Sequence, residues 1–171
     1  MRKVILGLAV SLDNFIEGPN GEYDWCFTDQ DYGLAAFFEN VDAIFIGRKS
    51  YELVQDLGDA AGIPKMKNYV FSNSLKTVAE GDEILNGDVI SQARAIKNSP
   101  GKDIWLFGGA SLTASLMNER LVDELWLSVH PILLGNGKPL FQGIFDRIKL
   151  KLLETKTYET GLVSLKYKLD E

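Results

Sequence analysis

Cysteine and histidine are almost missing from this chain: among 171 residues there is one of each, Cys26 and His130. A single cysteine excludes an intrachain disulfide, and one cysteine with one histidine leaves a zinc site of the Cys/His type short of ligands. No run approaches the roughly 20 consecutive apolar residues of a membrane span. Asp13 and Asn14 interrupt the apolar N-terminal stretch too early for a signal peptide, so Val4 to Val10 reads as the first strand of a cytoplasmic protein. An excess of positive charge is lacking too. The net charge of −6 argues against a nucleic-acid-binding face but leaves room for a small anion in a locally basic pocket. With 46% hydrophobic and 25% charged residues, and neither a repeat nor a linker, residues 1–171 are expected to form one domain.

What is present is a series of short apolar runs that break on glycine or serine and continue as helices. Ile104 to Phe107 is too short for a helix and reads as a buried parallel strand, whereas Leu112, Leu116 and Met117 recur at helical spacing. Gly108 and Gly109 lie between them. Residues without a Cβ let the backbone approach a ligand, and the free N–H groups opening the next helix suit a phosphate; a tight turn without ligand fits the same residues. The run Asp42 to Gly47 likewise enters a helix, one that opens with Arg48 and Lys49. Cations there oppose the helix dipole, which makes sense if an anion sits between them, or if both side chains simply reach water. Ser72 and Asn73 follow a third strand, where their polar groups either face a ligand or close a turn.

The remaining pattern is consistent with that order. Val4 to Val10 is apolar enough for a central strand covered on both faces. Ser11 to Trp25 is a long loop, a length often associated with function. Leu34, Phe37, Phe38 and Val41 form a helical stripe that Thr28 or Asp29 can cap, and Asp88 can cap a later helix. Asp123 to Leu134 carries more apolar residues than one small sheet buries, so it is either a dimer contact or a covered central strand. Near the C-terminus, Val163, Leu165, Tyr167 and Leu169 alternate with Ser164, Lys166 and Lys168 as in an antiparallel hairpin.

Three segments, Ile46-Gly-Arg-Lys-Ser-Tyr51, Val70-Phe-Ser-Asn73 and Leu106-Phe-Gly-Gly-Ala-Ser-Leu112, resemble in order and spacing the dinucleotide-contacting turns of the dihydrofolate reductase fold. The run His130-Pro-Ile-Leu-Leu-Gly-Asn-Gly-Lys-Pro-Leu-Phe141 is similar to the C-terminal reductase domain of the bifunctional riboflavin-biosynthesis deaminase/reductase. The resemblance implies an α/β three-layer fold with a mostly parallel central sheet, helices on both faces and a C-terminal antiparallel hairpin. It also implies an NADPH-dependent reductase acting on a small heterocycle, of the 5-amino-6-(5-phosphoribosylamino)uracil reductase type, with a homodimer expected. Alternatives are dihydrofolate reduction and a non-catalytic dimeric binding protein.

By position, the resemblance puts Ala9 and Ile16 at the nicotinamide. It puts Gly47, Arg48, Lys49 and Ser50 at the diphosphate and 2′-phosphate, and Ser72 and Asn73 at the adenosine ribose. Gly108, Gly109, Ala110, Ser111 and Leu112 would cover the pyrophosphate. Asp31 takes the place of the folate reductases' substrate-binding carboxylate, and Trp25 stands near their active-site tryptophan; an acid in the first turn of a helix is the other reading of Asp31. His130, on an apolar strand, is expected to be structural, and Cys26 is expected to have no chemical role. The zinc-dependent deaminase half has no counterpart, since its ligands are missing.

Overall fold

In Val41–Gly47 and Asp103–Gly108, successive side chains point to opposite faces of the sheet, and both sets are apolar. Ala43, Phe45, Ile104 and Leu106 join one buried cluster, while Ile44, Ile46 and Trp105 join another. Such strands must be covered on both sides. The computed structural model, which describes residues 1–170, covers them with helices.

In chain order the elements are β1 (Val4–Ser11), β2 (Phe15–Glu17), α1 (Leu34–Phe38), β3 (Val41–Gly47), α2 (Arg48–Leu57), β4 (Lys67–Phe71), β5 (Glu83–Leu85), α3 (Val89–Asn98), β6 (Asp103–Gly108), α4 (Ala110–Asn118), β7 (Glu124–His130), β8 (Lys138–Pro139), β9 (Leu150–Thr157) and β10 (Val163–Leu169). Eight strands form one sheet in the order β5-β4-β3-β6-β1-β7-β10-β9, parallel from β5 to β7 and antiparallel beyond. Phe37 and Phe38 of α1 and Tyr51 and Val54 of α2 cover one face. Ala93 of α3 and Leu116 and Met117 of α4 cover the other. This is the expected three-layer arrangement, with β1 in the interior and a C-terminal hairpin. Among the described residues no helix is long and apolar enough to cross a membrane.

One expectation needs correction. The helix capped by Thr28 or Asp29 is in fact the five-residue α1, entered through Gly33 at φ 90°, and Val41 belongs to β3. Asp31 does the capping: its carboxylate accepts the N–H groups of Gly33 at 3.0 Å and Ala35 at 2.9 Å. Asp29 instead accepts from the Tyr32 hydroxyl at 2.7 Å. Of the two readings of the 123–134 run, the interior strand is the one the fold supports: β7 lies between β1 and β10, with Leu125, Trp126 and Leu127 buried. The expected hairpin is formed by β9 and β10, and within it Ser164 is buried and accepts the Trp126 Nε1–H at 2.7 Å.

At the amino ends of the parallel strands, charges neutralise one another. Arg2 is buried and paired with Asp42. Lys97, 6% exposed, donates to Asp123 at 2.5 Å and to the Leu121 carbonyl at 3.1 Å, and Asp123 also accepts the Val4 N–H at 2.7 Å.

Candidate active site

The carboxyl ends of the same strands are built differently. β3 ends on Gly47 and β6 on Gly108, whose φ of 107° a residue with a side chain rarely adopts. A Cβ on Gly47 would stand 3.7 Å from the Gly108 carbonyl oxygen and 3.9 Å from the Gly109 nitrogen, so the two turns abut backbone to backbone. The Gly108–Gly109 peptide is cis. A cleft of about 630 Å³ opens beside them, within the size range of small-molecule sites.

Ala9, Ile16, Lys49, Ser50, Gly108 and Gly109 line this cleft, and Gly47 stands directly behind the last two. Lys49 is therefore the cation of the β3–α2 turn that faces the cavity. Arg48 turns along its own helix, where Nη1 donates to both carboxylate oxygens of Glu52 at 3.1 Å. Ser72 and Asn73 lie off the cleft wall and close a turn. Ser72 Oγ accepts the N–H groups of Ser74 at 3.2 Å and Leu75 at 2.9 Å, and Asn73 Oδ1 accepts that of Gly87 at 3.3 Å. Within α4, Ala110 is fully buried, Ser111 is exposed and Leu112 packs against the core.

The two residues expected to serve catalysis are not on the wall. Asp31 is exposed and its oxygens are engaged as the α1 cap, so the geometry favours the helix-acid reading over the substrate-binding one. Trp25 stands edge-on to His130 beside the site, with ring centroids 5.3 Å apart and planes at 84°.

Thr113 is the residue that sequence reasoning missed. It is fully buried, it lines the cleft one helical turn after Gly109, and its Oγ1 has no hydrogen-bond partner among the described residues. Leaving a buried hydroxyl unpaired costs about 1–3 kcal/mol, so the orphan points to a group supplied from outside the chain. The one available signal was its place on α4 just beyond the glycine pair.

The long loop reaches the site through local pairing. The Asp13 carboxylate accepts the N–H groups of Leu134 at 3.1 Å and Gly135 at 2.8 Å, and β2 pairs with β8. Gly137 permits this close approach, since a Cβ there would stand 2.2 Å from the Glu17 carbonyl oxygen. The pairing brings Ile16, Glu17, Lys138 and Leu140 to the cleft edge.

The single histidine and cysteine both line the cleft without reactive character. His130 is 3% exposed and neutral by its bonding: Nδ1 donates to the Ser128 carbonyl at 2.9 Å and Nε2 accepts the Phe27 N–H at 3.1 Å. Burial lowers its pKa below the ordinary histidine value. Burial, with the charge of Asp24 adding to it, pushes the Cys26 thiol up to about 11, so it stays protonated at neutral pH.

The deeper wall is aromatic. Phe37 lies 4.7 Å from Trp126 and 5.7 Å from Trp105 between ring centroids, and Trp105 lies 5.0 Å from Phe107. Leu53 and Leu57 of α2 continue this surface.

Comparison with known proteins places the chain among relatives. The model of the family described as RibD C-terminal domain matches residues 2–164. The uncharacterized protein YyaP of Bacillus subtilis (strain 168) is 42% identical over 177 residues, covering 97% of this chain and 94% of YyaP. Among solved structures, the diaminohydroxyphosphoribosylaminopyrimidine deaminase/5-amino-6-(5-phosphoribosylamino)uracil reductase of Thermotoga maritima superposes with a TM-score of 0.78 at 12% identity, over 99% of this chain and 57% of that one. The dihydrofolate reductase of Enterococcus faecalis complexed with NADP(H) gives 0.72 at 16% identity, over 99% and 97%. At those identities the structural likeness speaks to the fold alone.

Proposed function

The chain belongs to the RibD C-terminal domain family, and from that premise we propose that it is an NADPH-dependent reductase acting on an unsaturated carbon of a small ring compound. The observation that carries this reading is the unpartnered hydroxyl of Thr113, buried beside two abutting glycine turns with Lys49 on the same wall. This donor set fits a diphosphate. The glycines keep Cβ atoms away from it, the opening turn of α4 offers free N–H groups, and the hydroxyl completes the coordination, which leaves the ammonium for a second anionic group. Ala9 and Ile16 border the space left for a nicotinamide, and Lys49 is placed to recognise the 2′-phosphate. When bound, the dinucleotide supplies the hydride. The chain's own part is to orient the two rings and keep water from between them, so catalysis rests on positioning.

The two more specific expectations make different demands. A 5-amino-6-(5-phosphoribosylamino)uracil substrate needs a second cationic position for its ribose phosphate, and the other lysine of the cleft, Lys138, already stands 3.9 Å from the Glu17 carboxylate. Folate reduction needs a carboxylate inside the cleft, whereas Asp31 is turned outward as a cap. The expected homodimer moves with the geometry as well. In this reading two copies meet along the edge strand β9, where Leu150, Leu152 and Leu153 are 41–51% exposed. A monomer by light scattering at micromolar concentration would remove that part.

Melting the protein with NADPH and with NADH tests the central reading. Ligand at a hundred times its dissociation constant stabilises by about 2.7 kcal/mol. NADPH is expected to raise the melting temperature more than NADH does. Lys49→Ala is expected to erase most of that preference, and Arg48→Ala to leave most of it. No shift with either nucleotide would end the proposal.

A further inference from the structure

The aromatic part of the cleft lining is unusual in how its polar atoms are disposed. Trp105 donates its Nε1–H to the Gly7 carbonyl at 2.8 Å, and Trp126 donates its own to Ser164 Oγ at 2.7 Å. Both indoles thereby use their polar edge on the protein and leave carbon for the cavity. Phe37 lies between them, and Leu53, 42% exposed, extends the apolar surface from α2. The ring nitrogens of His130 are both engaged with backbone groups, so they are closed to a ligand.

Charge is correspondingly scarce. Apart from the neutral His130, the acidic and basic side chains among the residues that line the cleft are Lys49, Glu17 and Lys138. Lys49 lines the cleft together with the glycine turns and is assigned above to the nucleotide. Glu17 and Lys138 stand 3.9 Å apart, each 39% exposed, and largely cancel at the mouth. A carboxylate or phosphate pressed against the aromatic wall would lose its water and find no counter-charge. A protonated heterocycle would find no carboxylate at that depth.

We infer that the compound held against this wall is an uncharged, planar, conjugated ring system carrying neither phosphate nor carboxylate. This rests on the nucleotide reading above, because it assigns Lys49 to the dinucleotide. It narrows the substrate class away from phosphoribosylated pyrimidines and folates, both of which carry permanent negative charge. Flat rings suit the site because they stack on aromatic faces without asking for hydrogen bonds.

Isothermal titration with three probes, with and without saturating NADP+, tests the inference. Quinoxaline is a neutral bicycle, quinoxaline-2-carboxylate has the same shape with one charge, and uridine 5′-monophosphate is a phosphorylated pyrimidine. Quinoxaline is expected to bind NADP+-loaded protein at least tenfold more tightly than either anion. Leu53→Glu, at a partly exposed position that leaves the core intact, is expected to weaken quinoxaline about tenfold while NADP+ affinity stays within twofold. Equal or tighter binding of either anion overturns the inference with the nucleotide reading untouched, as does failure of quinoxaline to bind the loaded protein. Quinoxaline binding with no NADP+ binding keeps the preference of the wall and removes the reductase reading.

Discussion

The two ends of the parallel sheet are made from the same strands and treat polar groups in opposite ways. At the amino end, Arg2 meets Asp42, and Lys97 meets Asp123 and the Leu121 carbonyl. At the carboxyl end, Thr113 Oγ1 has no partner among the described residues, Lys49 faces a cavity, and glycines leave backbone bare. One end is closed by mutual satisfaction. The other holds back donors and space, at some cost in stability, which is how binding sites are commonly built.

The largest effect expected from breaking this contrast lies at the amino end. Lys97→Met removes the ammonium from the partly exposed Asp123 carboxylate and from the Leu121 carbonyl and should lower unfolding free energy by about 2 kcal/mol, read as a lower urea midpoint. NADP+ affinity of the folded fraction should be unchanged. A stable variant with weakened nucleotide binding would mean that the two ends are not separate.

Thr113→Val sharpens the comparison from the other side. Replacing an unpaired buried hydroxyl by a methyl of the same shape should stabilise the free protein by about 1 kcal/mol, and NADP+ should bind about tenfold more weakly. Loss of stability would show that the hydroxyl holds the fold and not a ligand.

His130 gives a pH test on the cleft side. Its folded pKa lies below the unfolded value, so below about pH 6.5 the unfolded chain takes up a proton that the folded chain resists. Stability is full above that value and should fall as pH drops from 6.5 towards the folded pKa. Comparing the melting temperature of the protein with that of His130→Gln across pH 7.5 to 5 isolates this contribution, which the variant should lack.

The smallest effect belongs to Asp31→Asn. Asparagine still caps α1, so stability should change by only a few tenths of a kcal/mol and turnover by less than twofold. A hundredfold loss in kcat with normal NADPH binding would restore Asp31 to the catalytic role expected from its sequence position.

Much of the fold was legible because its signal is local. Ile104 to Phe107 read as a strand from length and apolarity, the Leu116–Met117 side of α4 from helical spacing, and Asp88 as a cap, which it is, accepting the Ser91 N–H at 3.1 Å. The α1 region misled because Gly33 starts the helix late, and nothing nearby in sequence announces a left-handed residue there. The site was legible in outline at Ala9, Ile16, Lys49, Ser50 and the glycine pair. Arg48, Ser72 and Asn73 could not be resolved in advance, since Glu52, Leu75 and Gly87 compete for the same side-chain atoms that a ligand would use.

The sequence by itself determined the order of most strands and helices, the two apolar faces of the central strands, the glycine turns, and that no disulfide can form within the chain. These follow from periodicity and composition, which need only near neighbours along the chain. Tertiary structure alone decided which polar atoms remain free among the described residues: Lys49 and not Arg48, Thr113 and not Ser72, with Asp31 turned away and two indoles showing only carbon to the cleft. A hydrogen-bonding group is satisfied or left open by whatever the fold brings beside it, often from a hundred residues away.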